Sequence, residues 1–125
     1  DSIGKKVKAV QNMVNDMKLS NVTTAHIRVE QVNHRFDFAV SRAVTALPRV
    51  EEWLRGTIRR GKEATIPNGL VYIKGGDFQE ELQQIPKLHR VWSVSDYFDE
   101  DFFETKKVVW LDLVLVTIRL WVWNI

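Results

Sequence analysis

The sequence predicts one α/β domain with a largely parallel sheet. Segments of helical periodicity alternate with short runs of β-branched and aromatic residues, and Gly, Pro and Asn mark the turns between them. The chain has 125 residues, of which 45% are hydrophobic, and this is typical of a single globular domain. Helices that alternate with apolar strands favour an architecture in which helical crossovers join parallel strands.

Composition narrows the possible functions. The sequence contains no cysteine, which excludes a disulfide framework, a thiolate nucleophile and Cys-ligated metal, and suits a reducing compartment. The formal net charge is only +2 with both signs well mixed, so bulk electrostatics do not favour nucleic acid. The histidines, His26, His34 and His89, lack ligand spacing, and we expect no metal site. No run of about 20 apolar residues predicts a membrane span.

Two elements are predicted before residue 31. Apolar residues recur at helical spacing from residue 3 to 18 and predict an amphipathic helix with one buried side. They are Val7, Val10, Val14 and Met17, with Met13 beside them. The stretch "NVTTAHIRVE" that follows is rich in β-branched residues and predicts a strand that ends near Glu30.

The middle of the chain predicts a strand and a helix. "FDFAVS", residues 36–41, is a short apolar run typical of a buried strand. Pro48 then suits the first turn of a helix, and Gly61 is expected to end that helix. The apolar stripe predicted for it consists of Val50, Trp53, Leu54 and Ile58.

Four further elements complete the predicted domain. "IPNGLVYIKGG" indicates a turn, a strand over 70–74 and a second turn. "DFQEELQQI" predicts a short helix with one apolar side formed by Phe78, Leu82 and Ile85. Two more strands are predicted, over residues 88–95 and over "KKVVWLDL" after the acidic "DYFDEDFFE", which should face away from a nucleic-acid substrate.

Polar residues stand at the predicted strand ends, where parallel sheets bind ligands. Glu30, Arg42 and Lys74 follow strands, and Asp1 immediately precedes the first helix. Carboxylates in these places can accept hydrogen bonds from ribose hydroxyls and from an adenine amino group, so the pattern indicates a nucleoside site. A salt bridge for Arg42, a solvated position for Glu30 and a plain turn after Lys74 are the structural alternatives.

The order and spacing of four motifs resemble one protein family. "DSIGKK", "HIRVE", "FDFAVSRAV" and "LVYIKGG" are similar to the glucose-inhibited division protein B family, the bacterial ribosomal RNA small subunit methyltransferases of type G. The resemblance runs from Asp1 to about Trp110. It implies a class I methyltransferase fold, a Rossmann-like three-layer sandwich that uses S-adenosylmethionine. It also implies methyl transfer to N7 of a guanine in 16S ribosomal RNA, in the cytoplasm.

The resemblance assigns roles to individual residues. Asp1 matches an acidic residue near the cofactor ribose, and Val29 and Glu30 match the pair that contacts the adenine end. Arg42 matches the arginine of "SRA", a cofactor-site residue close to the entry of the guanine. Lys74 is placed on the RNA side. The basic residues on and after the second helix are either a solvated helix face or RNA phosphate contacts. They are Arg55, Arg59, Arg60 and Lys62.

Two departures from the family pattern shape the expectations. The family's first strand and glycine-rich loop, which hold the methionine portion of the cofactor, have no counterpart in this sequence. We therefore expect residues 1–110 to be the C-terminal part of a longer methyltransferase domain, an incomplete fold that is inactive alone. Residues 111–125 form an apolar tail with no family match, whose Trp and β-branched content favours a strand, and self-association through it is possible.

Three functions remain open from the sequence. The first is a ribosomal RNA guanine-N7 methyltransferase, which needs no general base because N7 carries a lone pair and no proton. The second is a methyltransferase for a small molecule or a protein, which a closed apolar pocket would favour. The third is a nucleoside- or RNA-binding module without catalysis. We expect the first.

Overall fold

The computed structural model describes residues 1–42, 45–62 and 64–113. The chain divides into two compact units, Asp1–His34 and Arg35–Ile125.

The first unit contains one α-helix. The helix α1 spans Gly4–Asp16 and confirms the prediction of a helix over residues 3–18. Val14 is buried, but Val10, Met13 and Met17 are 46–68% exposed, so the predicted buried side is wrong for most of this face. Amphipathic periodicity thus identified the helix correctly without establishing that its apolar face is covered.

The strand predicted over residues 21–30 is wrong. The segment has no strand, and Val29–Gln31 forms a short 3₁₀ helix. Asp1 donates to the Ala25 carbonyl at 3.1 Å and accepts from the Ile27 amide at 3.0 Å, as one residue of a parallel pair would. A strand needs a ladder of such bonds, and among the described residues this segment makes them only to Asp1.

The second unit is a four-stranded mixed sheet with two helices. Its elements in chain order are β1 (Phe38–Arg42), α2 (Leu47–Leu54), β2 (Gly69–Gly75), α3 (Gln79–Gln83), β3 (His89–Ser93) and β4 (Lys106–Leu111). The strand order is β1-β2-β4-β3. The structure confirms the predicted strands and the short third helix.

The prediction of a largely parallel sheet is wrong. Only β1 and β2 are parallel, with α2 in the crossover between them, and β4 is antiparallel to both β2 and β3. The connection from β3 to β4 carries two 3₁₀ helices, Val94–Asp96 and Asp101–Phe103, in place of a helical crossover. A connection of this kind joins antiparallel neighbours.

The helix α2 begins as predicted but ends early. Pro48 lies in its first turn, and the last helical residue is Leu54 rather than a residue near Gly61. Ile58 forms a parallel bridge with Phe36, and the backbone bonds on either side of Ile58 go to Phe36. These sheet-like bonds at the start of β1 replace the helical bonds that the apolar stripe predicted.

One hydrophobic core fills the space between the sheet and the helices of the second unit. Leu70 pairs with Leu111 and Tyr72 with Val109, so these side chains share one face of the sheet. Phe78, Leu82 and Ile85 pack in the same cluster, as predicted for the third helix. The remaining buried members are Leu47, Val50, Ile58 and Leu113. Residues 114–125 of the predicted apolar tail, with the proposed self-association strand, lie outside the described residues.

Candidate active site

All four strands have one terminus on the same side of the sheet, which we call the strand-end edge. The parallel strands β1 and β2 end there at Arg42 and Gly75, and β3 ends there at Ser93. The antiparallel strand β4 begins there, because Lys106 pairs with Gly75. The β3–β4 connection must therefore cross this edge.

A cavity of about 900 Å³ lies at this edge. Its described lining comes from the strand ends, from Thr45 after β1 and from the β3–β4 connection. The lining residues are Arg42, Thr45, Tyr72, Ile73, Lys74, Gly75, Val94, Phe98, Phe102, Phe103, Lys106 and Val108. The volume is within the range of small-molecule and cofactor pockets.

Arg42 and Lys74, two of the residues predicted from the sequence, both line this cavity. Arg42 is the last residue of β1 and is exposed. Within the described part of the chain, no carboxylate lies within ion-pair distance of its guanidinium. Of the alternatives for Arg42, the salt bridge is therefore not observed, and its five N–H donors remain available to a ligand.

Lys74 is held in place by Glu81. The ammonium lies 2.7 Å from Oε1 of Glu81, and Oε2 of Glu81 accepts from the Leu47 amide at 2.8 Å. Burial acts to raise the pKa of Glu81, but its hydrogen bonds with Lys74 and Leu47 outweigh burial and leave that pKa below its ordinary value. Because Leu47 opens α2, this carboxylate links the cavity to the start of that helix.

Tyr72 fixes the loop after β1. Its hydroxyl donates to the Thr45 carbonyl at 2.8 Å, and its ring is fully buried in the core. The backbone at Thr45 is thereby tied to β2, which is the neighbour of β1 in the sheet. A buried tyrosine thus holds one wall of the cavity.

A wall of three phenylalanines was not predicted from the sequence. The ring centroids of Phe98 and Phe102 each lie 5.3 Å from that of Phe103, and the ammonium of Lys106 lies 5.0 Å from the centroid of Phe102. We name Phe98, Phe102 and Phe103 the phenylalanine wall. The signal was present, since three Phe occur within six residues of a polar loop, where core packing does not require them.

The predicted RNA contacts Arg55 and Arg59 both have protein partners. Nη2 of Arg55 lies 3.0 Å from Oε2 of the buried Glu51, and this hydrogen bond raises the pKa of the guanidinium. Nε of Arg59 lies 3.3 Å from Oδ1 of Asp37, and its Nη2 donates to the Arg35 carbonyl at 2.7 Å. Arg60 is exposed just after Arg59, as is Lys62. None of these residues is among the described lining of the cavity.

Comparison with known proteins identifies the family. The model of the family described as "GidB: rRNA small subunit methyltransferase G" matches residues 1–109. The chain belongs to this family. It is 44% identical over 113 residues to a protein of Christiangramia forsetii, 45% identical to one of Flavobacterium psychrophilum, and 41% identical over 114 residues to one of Porphyromonas gingivalis. Each of these relatives is named ribosomal RNA small subunit methyltransferase G.

The chain spans about half the length of the curated relatives that it matches. The matches cover 90% of this chain but 52–54% of the three relatives. The family match bears out the resemblance seen in the four motifs.

The side chains predicted for a methyltransferase cofactor lie partly in the first unit. The Oδ1 atom of Asp1 accepts from the Ile3 amide at 2.8 Å, and its Oδ2 atom has no hydrogen-bond donor among the described residues. Glu30 is exposed on the 3₁₀ helix, and Val29 beside it is half-buried. Carboxylate oxygens of this kind fit ribose hydroxyls and an adenine amino group, so the residues present are compatible with the nucleoside half of S-adenosylmethionine.

Neither a membrane-spanning helix nor a metal-binding cluster occurs among the described residues. No helix in these residues is both long and apolar enough to span a membrane. No group of three or more His, Cys, Asp or Glu within them is placed to hold a metal ion.

Proposed function

We propose that the full-length protein transfers a methyl group from S-adenosylmethionine to N7 of a guanine in 16S ribosomal RNA, in the cytoplasm. The observation that carries this proposal is the family match over residues 1–109. S-adenosylmethionine supplies the methyl group as part of a sulfonium. The glycine-rich loop and the first strand that complete a class I fold are proposed to lie in the half of the relatives that this chain does not span.

The proposed roles divide between the two units. Asp1, Val29 and Glu30 are assigned to the nucleoside end of the cofactor. Arg42 is assigned to the meeting point of cofactor and guanine, because it lies at the strand-end edge with an unpaired guanidinium among the described residues. Lys74, Arg55, Arg59 and Arg60 are assigned to the RNA side. Since Lys74 and Arg55 are neutralised by Glu81 and Glu51, we assign them a positioning role more than a long-range attraction for phosphate.

The proposed methyl transfer requires few catalytic groups from the side chains. The N7 lone pair forms the new bond to the methyl carbon, and the electron pair of the broken carbon–sulfur bond stays on sulfur. No proton moves, so no general base is needed, and the chain must mainly align donor and acceptor. The described cavity lining contains no acid, and its cations Arg42 and Lys106 have no carboxylate partner among the described residues, which favours a base with hydrogen-bond acceptors over a small apolar substrate.

A chimeric enzyme tests the proposal. Residues 1–113 of this chain replace the matched half of the Christiangramia forsetii relative, and the chimera is incubated with unmethylated small ribosomal subunits and S-adenosylmethionine. Borohydride reduction followed by aniline cleaves RNA at 7-methylguanine, and primer extension maps the cleavage. We expect cleavage at one guanine of 16S RNA. A folded chimera that binds S-adenosylhomocysteine but leaves every guanine uncleaved would contradict the function.

A further inference from the structure

The phenylalanine wall presents aromatic surface that the core does not use. Phe98 is 53% exposed and Phe102 is 67% exposed, and both rings rest against the half-buried Phe103. Tilted and edge-to-face contacts between aromatic rings are attractive, so Phe103 stabilises the other two rings in these positions. Exposed aromatic surface that lines a cavity is available to stack with a planar ligand.

The charges around this wall are sorted by sign. The cations Arg42, Lys74 and Lys106 line the cavity, and Glu81 neutralises Lys74. The carboxylates of the β3–β4 connection are exposed, and none of them is among the described lining. They are Asp96, Asp99, Glu100, Asp101 and Glu104. The cavity is therefore aromatic and cationic inside, while the acidic side chains of the same connection point elsewhere.

We propose that this cavity takes up one unstacked guanine of the RNA substrate, which stacks on Phe98 and Phe102 and accepts hydrogen bonds at O6 from Arg42 or Lys106. The identity of the base rests on the proposed function. The stacking follows from the exposed rings, and the preference for a base with acceptors follows from the cations, which can only donate. An enzyme that modifies a base must take it out of the helical stack, and a walled pocket receives it.

The same charges distinguish the substrate from the product. Methyl transfer moves the positive charge from the sulfonium to the guanine ring, so the product base is a cation. Repulsion from Arg42 and Lys106 at a few ångströms outweighs what a cation gains over an aromatic ring at a partly exposed site. The ammonium of Lys106 also already lies over the ring of Phe102. The cavity therefore holds the unmethylated base more tightly than the methylated base.

The test uses this chain and two nucleotides with the same phosphate. Guanosine monophosphate and 7-methylguanosine monophosphate are titrated into the ¹⁵N-labelled chain by NMR in mildly acidic buffer, where the methylated base keeps its charge. We expect amide shifts over residues 94–106 and a Kd for guanosine monophosphate at least about threefold lower than for the methylated nucleotide. The variant Phe102→Leu should raise the Kd for guanosine monophosphate about fivefold or more, the effect of one lost base–aromatic stack.

Matched controls separate stacking from general effects. Tyr97→Leu removes an exposed aromatic residue of the same connection that is not among the described lining, and it should leave the Kd within about twofold. Lys107→Gln controls Lys106→Gln, because Lys107 is the next residue of β4 and its side chain points to the opposite face of the sheet. Of these two lysine variants, only Lys106→Gln should reduce the ratio between the Kd of the methylated nucleotide and that of the unmethylated nucleotide.

Several results would overturn the inference. They are the absence of guanosine monophosphate binding at millimolar concentration, binding that Phe102→Leu leaves unchanged, or a methylated nucleotide that binds as tightly as the unmethylated one. None of them bears on methyl transfer by the chimera. A chimera that methylates RNA while the cavity fails these tests would leave the proposed function intact and remove only the stacking site.

Discussion

At the scale of single residues, the edge of the sheet depends on one carboxylate. Glu81 accepts from the Lys74 ammonium and from the first amide of α2, so it holds a cavity cation and a helix start together. Lys74 has only 16% of its side chain exposed, and without Glu81 its charge would be partly desolvated and unpaired. The lysine at the cavity is thus held in one orientation.

The lowered pKa of Glu81 predicts a pH-dependent contribution to stability. A carboxyl whose pKa is lower in the folded state stabilises the fold above its ordinary value of 4.5, and that stability is lost as the pH falls through the folded pKa. We expect Glu81→Gln to lower the free energy of unfolding by about 1 kcal/mol near neutral pH and by progressively less as the pH falls below 4.5. Urea titrations of both chains across this pH range measure the difference.

Glu80→Gln is the matched control for this prediction. Glu80 is an exposed neighbour on α3 with no ion pair within the described ranges, so its replacement should change stability by less than about 0.5 kcal/mol at any pH. A stability difference for Glu81→Gln that stayed constant from neutral to acidic pH would refute the assigned pairing.

At the scale of elements, the start of β2 at Gly69 lies against the end of β4 with no room for a side chain. A Cβ built on Gly69 would lie 2.4 Å from the Leu111 carbonyl oxygen and 2.6 Å from the indole nitrogen of Trp110. That indole nitrogen donates to the Pro67 carbonyl at 3.0 Å, so it cannot move away freely. The glycine of the "PNG" turn is therefore required by packing at the start of β2.

We predict that Gly69→Ala destabilises the chain by about 3 kcal/mol or more, because backbone must shift to admit the methyl group. Gly75→Ala in the same strand is the control, since its Cβ would meet the flexible end of Lys106 at 3.0 Å. We expect that variant to lose less than about 1 kcal/mol. Thermal and urea unfolding of the two variants compare the effects, and equal losses would contradict the close approach at Gly69.

The elements that the sequence predicted correctly carry local signals. The strand β2 lies between Asn68-Gly69 and Gly75-Gly76, and α3 has its apolar residues at helical spacing. Long-range pairing decided the failures. Ile58 fits a helical stripe but lies opposite Phe36 in a parallel bridge, whose hydrogen bonds are made by Thr57 and Arg59. Residues 21–30 have β propensity, but among the described residues Asp1 alone pairs with their backbone in the manner of a strand. Periodicity carries no information on whether neighbouring strands are parallel.

The sequence likewise predicted one part of the candidate site and missed another. Arg42 and Lys74 followed from the rule that ligands bind beyond the carboxyl ends of parallel strands, and both line the cavity. The phenylalanine wall escaped because the acidic residues around it suggested a segment directed away from RNA. In the structure the rings line the cavity, whereas the carboxylates of the same connection are exposed and are not among its described lining. The residue types of the loop alone do not predict this difference.

At the scale of the whole molecule, we expect the chain to bind its two substrates, the guanine and the cofactor, with different affinities. All described lining residues of the cavity belong to the second unit. The cofactor site, in contrast, is proposed to require residues from the half of the relatives that this chain does not span. The chain should therefore bind a guanine nucleotide without binding the cofactor well.

We predict that S-adenosylhomocysteine binds the 125-residue chain at least about a hundredfold more weakly than it binds the chimera, because the loop for the methionine portion is proposed to lie in the half of the relatives that this chain does not span. Calorimetric titration of both proteins measures this ratio. Equal micromolar affinity would mean that the nucleoside half-site binds the cofactor alone, or that a second copy supplies the missing contacts.

The N7-methylation assay of the chimera with Arg42→Ala tests whether Arg42 acts where cofactor and guanine meet. Arg35→Ala is its control, because Arg35 is exposed and is not among the described lining. We expect Arg42→Ala to keep the folded stability and to lower methylation of the guanine more than about tenfold, while Arg35→Ala stays within about twofold. Methylation by Arg42→Ala within about twofold of the unmodified chimera would show that Arg42 does not act at the meeting point of cofactor and guanine.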